Sequence, residues 1–359
     1  MDAVTDIRKK FILNLGVLKP GDIILEHGYK AHSHVIMAVT KSHYSHAMLF
    51  EGSTIIEATV AGGVFSKVPN RFAVVSSEDL KVLRLKNEVS SEKIDIITAT
   101  SRNLTGSSYN KSQAFRSGGK KKPTKKNVSG QFCSRLVAQC YNSVGIKLVD
   151  NINFCSPADL ERSSLLIEVD DAVIEASEEQ LSHALAPTPH KAHLKGATQW
   201  IKEAKKILKK SGIEAETFND VLTETIKLKN AKVDKLILKA IKESGYYDFY
   251  LIDKKSNPHR YDIDLFWEKI GTDLDKINSE IAKESPIIKT HSTNLINSRD
   301  YYNYYPSCLM QAEVSLYSNI LGITNERLKI IIAYCKKREL SPELLNEAKR
   351  MNDYIDKIL

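Results

Sequence analysis

The sequence has no long hydrophobic run. None of its apolar stretches approaches the roughly 18 consecutive residues that a membrane-spanning helix needs, and 27% of its 359 residues are charged. Near the N-terminus, basic residues precede only a broken apolar stretch, and no small-residue cleavage site follows. These absences argue against an integral membrane protein and a secretory signal peptide. We therefore expect a cytoplasmic protein, unless a dedicated secretion system exports it.

Cysteine is scarce and shows no pairing pattern. The five cysteines are an odd number in a long chain, and none forms a CxxC pair with another. This pattern argues against a disulfide framework and against a cysteine-rich zinc site. Any of the thiols is therefore available for reaction.

The length and the 42% hydrophobic content suffice for about two domains with real cores. In the first half, short β-rich runs separated by Gly, Ser, Asn and His predict an antiparallel meander. These runs are GDIILE, HVIMAVT, HAMLFE, TIIEAT and DLKVLRL, with LLIEVDD as a last candidate strand. Two helices are predicted between them, near residues 90–104 and 130–143.

Beyond residue 175 the pattern becomes helical. Helices are predicted near residues 197–210, 216–227, 233–244, 262–283, 301–321, 325–337 and 342–358. We therefore predict an α+β fold followed by an all-α domain, with residues 1–175 and 176–359 as the two domains.

The net charge of +8 is concentrated in the first half. Residues 1–170 hold 23 Lys and Arg against 16 Asp and Glu, whereas residues 171–359 hold 29 against 28. Seven bases and no acid lie in residues 111–126, beside two glycines and a proline. This composition predicts a flexible basic loop, which is either solvated or binds an anionic membrane surface. The lack of interleaved aromatics argues against nucleic acid as its partner.

Cys133 is the most informative cysteine. It falls in the first turn of the predicted helix in GQFCSRLVAQCY. Unpaired N–H groups and the helix dipole favour a thiolate at that position, and can hold the oxyanion of an acyl-transfer intermediate. Cys140 lies two turns deeper in the apolar stripe, as a small core residue would. Cys155, Cys308 and Cys335 have no activating neighbour, so Cys133 is the candidate nucleophile.

A thiol nucleophile needs a base, and five histidines precede Cys133: His27, His32, His34, His43 and His46. His46 begins the predicted strand HAMLFE, where a rigid backbone would hold its imidazole. Glu57 lies in the next predicted strand among apolar residues. If the strands form a hairpin, Glu57 can accept a hydrogen bond from one ring nitrogen while the other faces Cys133. Alternatively, both residues have a purely structural role.

The histidine spacing also raises the question of a metal site. His32 and His34 are two residues apart, and His43 and His46 are three apart. A catalytic zinc usually needs three oriented ligands, and these spacings fit neither the HExxH helix nor a cysteine cage. We therefore predict no metal and no other cofactor.

Five short segments, taken in order and spacing, carry a family resemblance: GDII at 21–24, YSHAM at 44–48, IEA at 56–58, FCSRLV at 132–137 and SPADL at 156–160. Over roughly residues 17–170 the chain resembles the circularly permuted papain-like cysteine hydrolases. These form the YiiX-type branch of the NlpC-type superfamily, distantly related to lecithin–retinol acyltransferase-like enzymes.

The resemblance implies a small antiparallel sheet or open barrel packed on helices. It also implies a nucleophile at Cys133, a base at His46 and an orienting carboxylate at Glu57, which hydrolyse or transfer an acyl group of an amide, ester or thioester. Superfamily members act on peptidoglycan peptides or on lipids, so the substrate is predicted only as a lipid or peptide acyl compound.

The main alternative is a non-catalytic binding or scaffold protein, which the intact Cys, His and Glu set disfavours. The helical domain is a candidate binding site for a protein partner. Its tyrosine-rich stretches at residues 246–250 and 301–305 either line a partner groove or pack between helices.

Overall fold

The computed structural model describes residues 9–29, 31–110, 130–186 and 188–359. It divides into two compact units, Met1–Thr198 with Ala215–Val221 and Gln199–Glu214 with Leu222–Leu359. The domain boundary predicted at residue 175 stays a prediction. The basic loop predicted at residues 111–126 lies outside the described residues.

An antiparallel sheet forms the centre of the first unit. The strands of the unit are β1 (Phe11–Leu13), β2 (Ile23–Glu26), β3 (His46–Phe50), β4 (Ile55–Thr59), β5 (Gly63–Lys67), β6 (Leu80–Leu85), β7 (Leu166–Glu168) and β8 (Val173–Glu175). Six of them are ordered β5-β4-β3-β2-β6-β7, and β1 pairs separately with β8. The predicted sheet is therefore confirmed in its open form. It departs from a simple meander because β6 adds to the far side of β2.

The helices of this region are α1 (Ala31–Thr40), α2 (Ser91–Asn103), α3 (Cys133–Asn142), α4 (Pro157–Glu161) and α5 (Glu178–Leu185). Helices α2 and α3 agree with the prediction, but HVIMAVT lies in α1 and is not a strand. At helical spacing, Ser33, Met37 and Thr40 face inward while Val35 and Val39 are exposed. Valine favours strands, but this segment forms a helix because the tertiary structure buries one face of it at helical spacing.

Alternation along the strands gives the sheet two apolar faces. One face contributes Ile23, Leu25, Ala47 and Leu49 to a core shared with α2 and α3. The side chains that α3 adds to this core are Leu136, Val137, Cys140 and Tyr141. The opposite face forms a second core that includes residues of β1. Helix α3, which starts at Cys133, is thus held firmly against the sheet.

Gly63 sets the start of β5. Its φ of 85° lies in the left-handed region, and a Cβ atom there would come within 2.1 Å of the Ser107 carbonyl oxygen. The next residue, Val64, donates its N–H to the same oxygen. Only glycine allows this close approach, which anchors the strand that ends at Lys67.

The remaining helices are α6 (His190–Lys210), α7 (Phe218–Leu228), α8 (Ala231–Glu243), α9 (Ile252–Ser256), α10 (Ile263–Ile270), α11 (Leu274–Tyr304), α12 (Cys308–Lys337) and α13 (Pro342–Ile358). The helix predicted over 262–283 is split at Gly271, where φ is 60°. Two helices are expected over 301–321 and 325–337. Residues 301–304 instead end α11, and the remainder lies in one continuous helix, α12, which accommodates Gly322 in its interior. None of the described helices has the length and apolar character needed to cross a membrane.

The second unit has its own core, built from α10 to α13. A buried ion network crosses it, in which the fully buried Glu284 accepts hydrogen bonds from Arg327 and Arg260. Of the tyrosine-rich stretches, Tyr246 packs edge-on against Trp200 with ring centroids 5.6 Å apart, whereas Tyr304 is 64% exposed.

Candidate active site

The fold brings the three predicted site residues together. His46 is the first residue of β3, Glu57 is the third residue of β4, and Cys133 is the first residue of α3. In the hairpin of β3 and β4, Glu57 pairs with Met48, which places it on the same face as His46. His46 Nε2 lies 2.9 Å from Glu57 Oε2.

Cys133 is buried at the start of α3. Its predecessor Phe132 has the extended backbone of an N-cap residue, and the Ser134 hydroxyl donates to the Cys155 carbonyl oxygen over 2.7 Å. The sulfur makes hydrogen bonds with the His46 imidazole and with the backbone N–H groups of Ala47 and Ser134. Because Glu57 holds Nε2 of His46, Nδ1 is the ring nitrogen available to the thiol.

These contacts shift all three pKa values. Burial alone would raise the pKa of Cys133, but the hydrogen bond and charge of His46 and the two N–H groups bring it below its usual value. Burial would lower the pKa of His46, yet its hydrogen bonds to Cys133 and Glu57 raise it to about 10. The site therefore favours a thiolate and an imidazolium as an ion pair.

Glu57 has a further partner that sequence reasoning missed. Lys67 at the end of β5 places Nζ 4.0 Å from Glu57 Oε2 and 3.8 Å from Glu26 Oε2, and 3.8 Å from the centroid of the Phe72 ring. Burial would raise the pKa of Glu57, but the charge of Lys67 and the hydrogen bond to His46 lower it to about 2. A single lysine in the run GVFSK offers no sequence signal of this role.

Tyr109 is the second residue that the sequence did not indicate. It forms an isolated β-bridge with Gln131, which lies two residues before Cys133. Burial and the nearby Cys133 sulfur raise the pKa of its phenol. The phenol of Tyr109 therefore stays neutral and keeps its hydroxyl proton.

The other cysteines differ sharply from Cys133. Cys140 and Cys155 are buried, and burial raises the pKa of both thiols, that of Cys155 to about 12. Burial also raises the pKa of Cys335, and Cys308 is exposed.

The remaining upstream histidines take other partners. His43 Nε2 lies 3.2 Å from Asp79 Oδ1, and His27 Nδ1 lies 2.9 Å from the His43 carbonyl oxygen. The His34 ring centroid is 6.2 Å from that of His27, while the side chain of His32 lies outside the described residues. The structure thus gathers His27, His43 and Asp79 into a separate cluster.

Residues 17–165 match the family model of the permuted papain-like amidase enzymes, YaeF/YiiX, C92 family. This region of the chain is similar to permuted papain-like amidases. The match confirms the resemblance seen in the sequence, and it ends before the helical region begins.

One similar solved structure is the crystal structure of metalloprotein yiiX from Escherichia coli O157:H7. It has a TM-score of 0.34 and 19% sequence identity, over 43% of this chain and 97% of that chain. No curated protein matches the sequence.

Proposed function

We propose that the amidase-like region, residues 17–165, hydrolyses an acyl bond through a covalent intermediate on Cys133. One observation carries the proposal: the His46 imidazole hydrogen-bonds the Cys133 thiol while its Nε2 lies 2.9 Å from a carboxylate oxygen of Glu57. A nucleophile, a base and a group that orients the base form this arrangement in thiol hydrolases. The family similarity to amidases supports the same chemistry.

In the first step the Cys133 thiolate attacks the substrate carbonyl carbon, and the carbonyl oxygen becomes an oxyanion. Backbone N–H groups beside the sulfur, those of Ala47 and Ser134, can donate hydrogen bonds to that developing charge. The tetrahedral intermediate collapses to a thioester as the imidazolium of His46 gives its proton to the departing amine or alcohol.

In the second step neutral His46 takes a proton from water, and the resulting hydroxide attacks the thioester. Collapse of this intermediate releases the carboxylic acid and restores the thiolate and the imidazolium. A different acceptor in place of water would give acyl transfer by the same steps.

Glu57 acts through His46. Its carboxylate holds the ring orientation and stabilises the imidazolium, as the carboxylate of a catalytic triad does. Lys67 supports this role because its charge keeps Glu57 ionised. We infer an amide as the first substrate class to test, and a lipid ester as the second.

Intact-mass analysis tests the proposal directly. The full-length protein is incubated with a panel of acyl amides and acyl esters, then quenched in acid. A mass increase equal to the acyl group is expected on the wild type and on Cys308→Ser, and is expected to disappear in Cys133→Ala. An adduct that persists in Cys133→Ala would overturn the assignment.

A further inference from the structure

The second histidine cluster lies at one end of the sheet. His27 directly follows β2, His43 lies three residues before β3, and Asp79 directly precedes β6. Strand β2 pairs with β3 on one side and with β6 on the other. The topology therefore brings together three residues that are far apart in the sequence, and one ligand atom from each lies within 4.8 Å of the others.

The distance between two of these atoms suits a metal ion. His43 Nε2 and Asp79 Oδ1 are 3.2 Å apart. Ligands bound tetrahedrally at 2.0–2.1 Å from zinc are separated by about 3.3 Å. An ion can therefore replace the direct contact of His43 with Asp79 with little movement of either side chain.

Surrounding hydrogen bonds orient the ligands. Asp79 Oδ2 accepts from the backbone N–H of Ser76 over 2.8 Å and from the Tyr29 hydroxyl, which leaves Oδ1 for the cluster. His27 Nδ1 donates to the His43 carbonyl oxygen, so Nε2 keeps the lone pair. Metal-binding imidazoles are commonly oriented in this way, through the other ring nitrogen.

An acidic cavity adjoins the cluster at His43. His43 lines a cavity of about 630 Å³, whose walls also carry Glu78, Glu161 and Glu168. Carboxylates around an opening raise the local concentration of cations. Lys81 neutralises part of this charge through Glu161, with Nζ 3.3 Å from Oε1.

From this geometry we propose that His27, His43 and Asp79 bind a divalent transition-metal ion. Two imidazoles and one carboxylate are a ligand set that zinc accepts, with water completing the coordination. The bound ion would join the ends of β2, β3 and β6. Its expected effect is structural, because it would hold the chain just before His46. The site is separate from the proposed thiol chemistry and does not depend on it.

Calorimetric titration of the chelator-treated full-length protein with Zn²⁺ tests the site. One equivalent is expected to bind and to raise the melting temperature. His43→Ala and His27→Ala are each expected to weaken binding by at least about tenfold, whereas His259→Ala in the helical region serves as the matched control. Circular dichroism verifies that each variant is folded.

Two outcomes would overturn the metal site. One is the absence of saturable Zn²⁺ binding to the wild type. The other is binding that survives in His43→Ala but disappears in Cys133→Ser, which would place the ion at the thiol. Visible d–d bands of the Co²⁺-loaded protein provide an independent readout: bands that His43→Ala abolishes and Cys133→Ser preserves support the site.

Discussion

Glu57 Oε2 lies 2.9 Å from His46 Nε2, across the hairpin of β3 and β4. Both ring nitrogens of His46 therefore have a partner, because the imidazole also hydrogen-bonds the Cys133 thiol. Lys67 then keeps the carboxylate charged from the neighbouring strand.

The first prediction concerns thiol reactivity. Cys133 should react with iodoacetamide faster than any other cysteine at neutral pH, because its pKa is lowered while burial raises those of Cys140 and Cys155. His46→Gln should remove most of this advantage. Mass-spectrometric peptide mapping after brief treatment measures the order. The exposed Cys308 is the internal control, and faster labelling there would refute the prediction.

The second prediction concerns the Glu57 carboxylate. Glu57→Gln should lower kcat/KM by about 10²–10⁴-fold with a smaller change in KM, since the amide stabilises the imidazolium less. Steady-state kinetics on an amide from the substrate panel measure the loss. Glu88→Gln, at an exposed position, is the matched control. Equal activity of both variants would remove Glu57 from the mechanism.

The third prediction is a pH effect of Lys67. Its charge lowers the pKa of Glu57 to about 2, so Lys67→Met should raise that pKa towards its ordinary value. The acid limb of the kcat/KM profile should then shift to higher pH. Lys86→Met, an exposed substitution, should leave the limb in place. An unchanged profile in Lys67→Met would show that Lys67 does not tune the site.

The same pKa shift affects stability. A carboxylate with a lowered folded-state pKa contributes stability above its unfolded-state pKa of about 4.5 and loses it as pH falls towards 2. The acid unfolding midpoint of Lys67→Met should therefore lie at a higher pH than that of the wild type.

The fourth prediction concerns an ion pair beside β2 whose carboxylate is buried and whose guanidinium is partly exposed. Arg84 binds Asp22 through two hydrogen bonds of 2.7 Å, and Asp22 is only 1% exposed. Asp22→Ala should reduce the free energy of unfolding by about 3 kcal/mol, because it removes the buried carboxylate that Arg84 and the Lys19 N–H group bind. Urea unfolding measures the loss, with the exposed Asp170→Ala as control. A loss below about 1 kcal/mol would contradict this assignment.

The fifth prediction concerns the basic segment at residues 111–126, which we propose to bind anionic surfaces. A variant with serine at Lys120, Lys121, Lys122, Lys125 and Lys126 should bind anionic vesicles more weakly. The difference should shrink as salt shortens the Debye length from about 30 Å at 0.01 M to about 10 Å at 0.1 M. Turnover of a small ester should persist. If that turnover collapses in the folded variant, the segment positions the site instead.

Local sequence patterns predict much of the secondary structure in the first half of the chain. The apolar stripe predicted α3, and the alternation in HAMLFE and TIIEAT predicted β3 and β4. The run HVIMAVT forms part of a helix, although its β-branched residues favour a strand. Ser33 and Met37, one helical turn apart, are both buried. Only packing against the surrounding tertiary structure determines which face of the segment is buried.

The sequence by itself determined the α+β class, the helical second half, the family resemblance and three candidate site residues. These follow from periodicity and from the order of short motifs, which are local properties of the chain. The tertiary structure alone decided that β6 joins the far side of β2 and that Lys67 lies beside Glu57. It likewise decided that His27, His43 and Asp79 meet. Such contacts depend on strand order and register, and many pairings are compatible with the same local pattern.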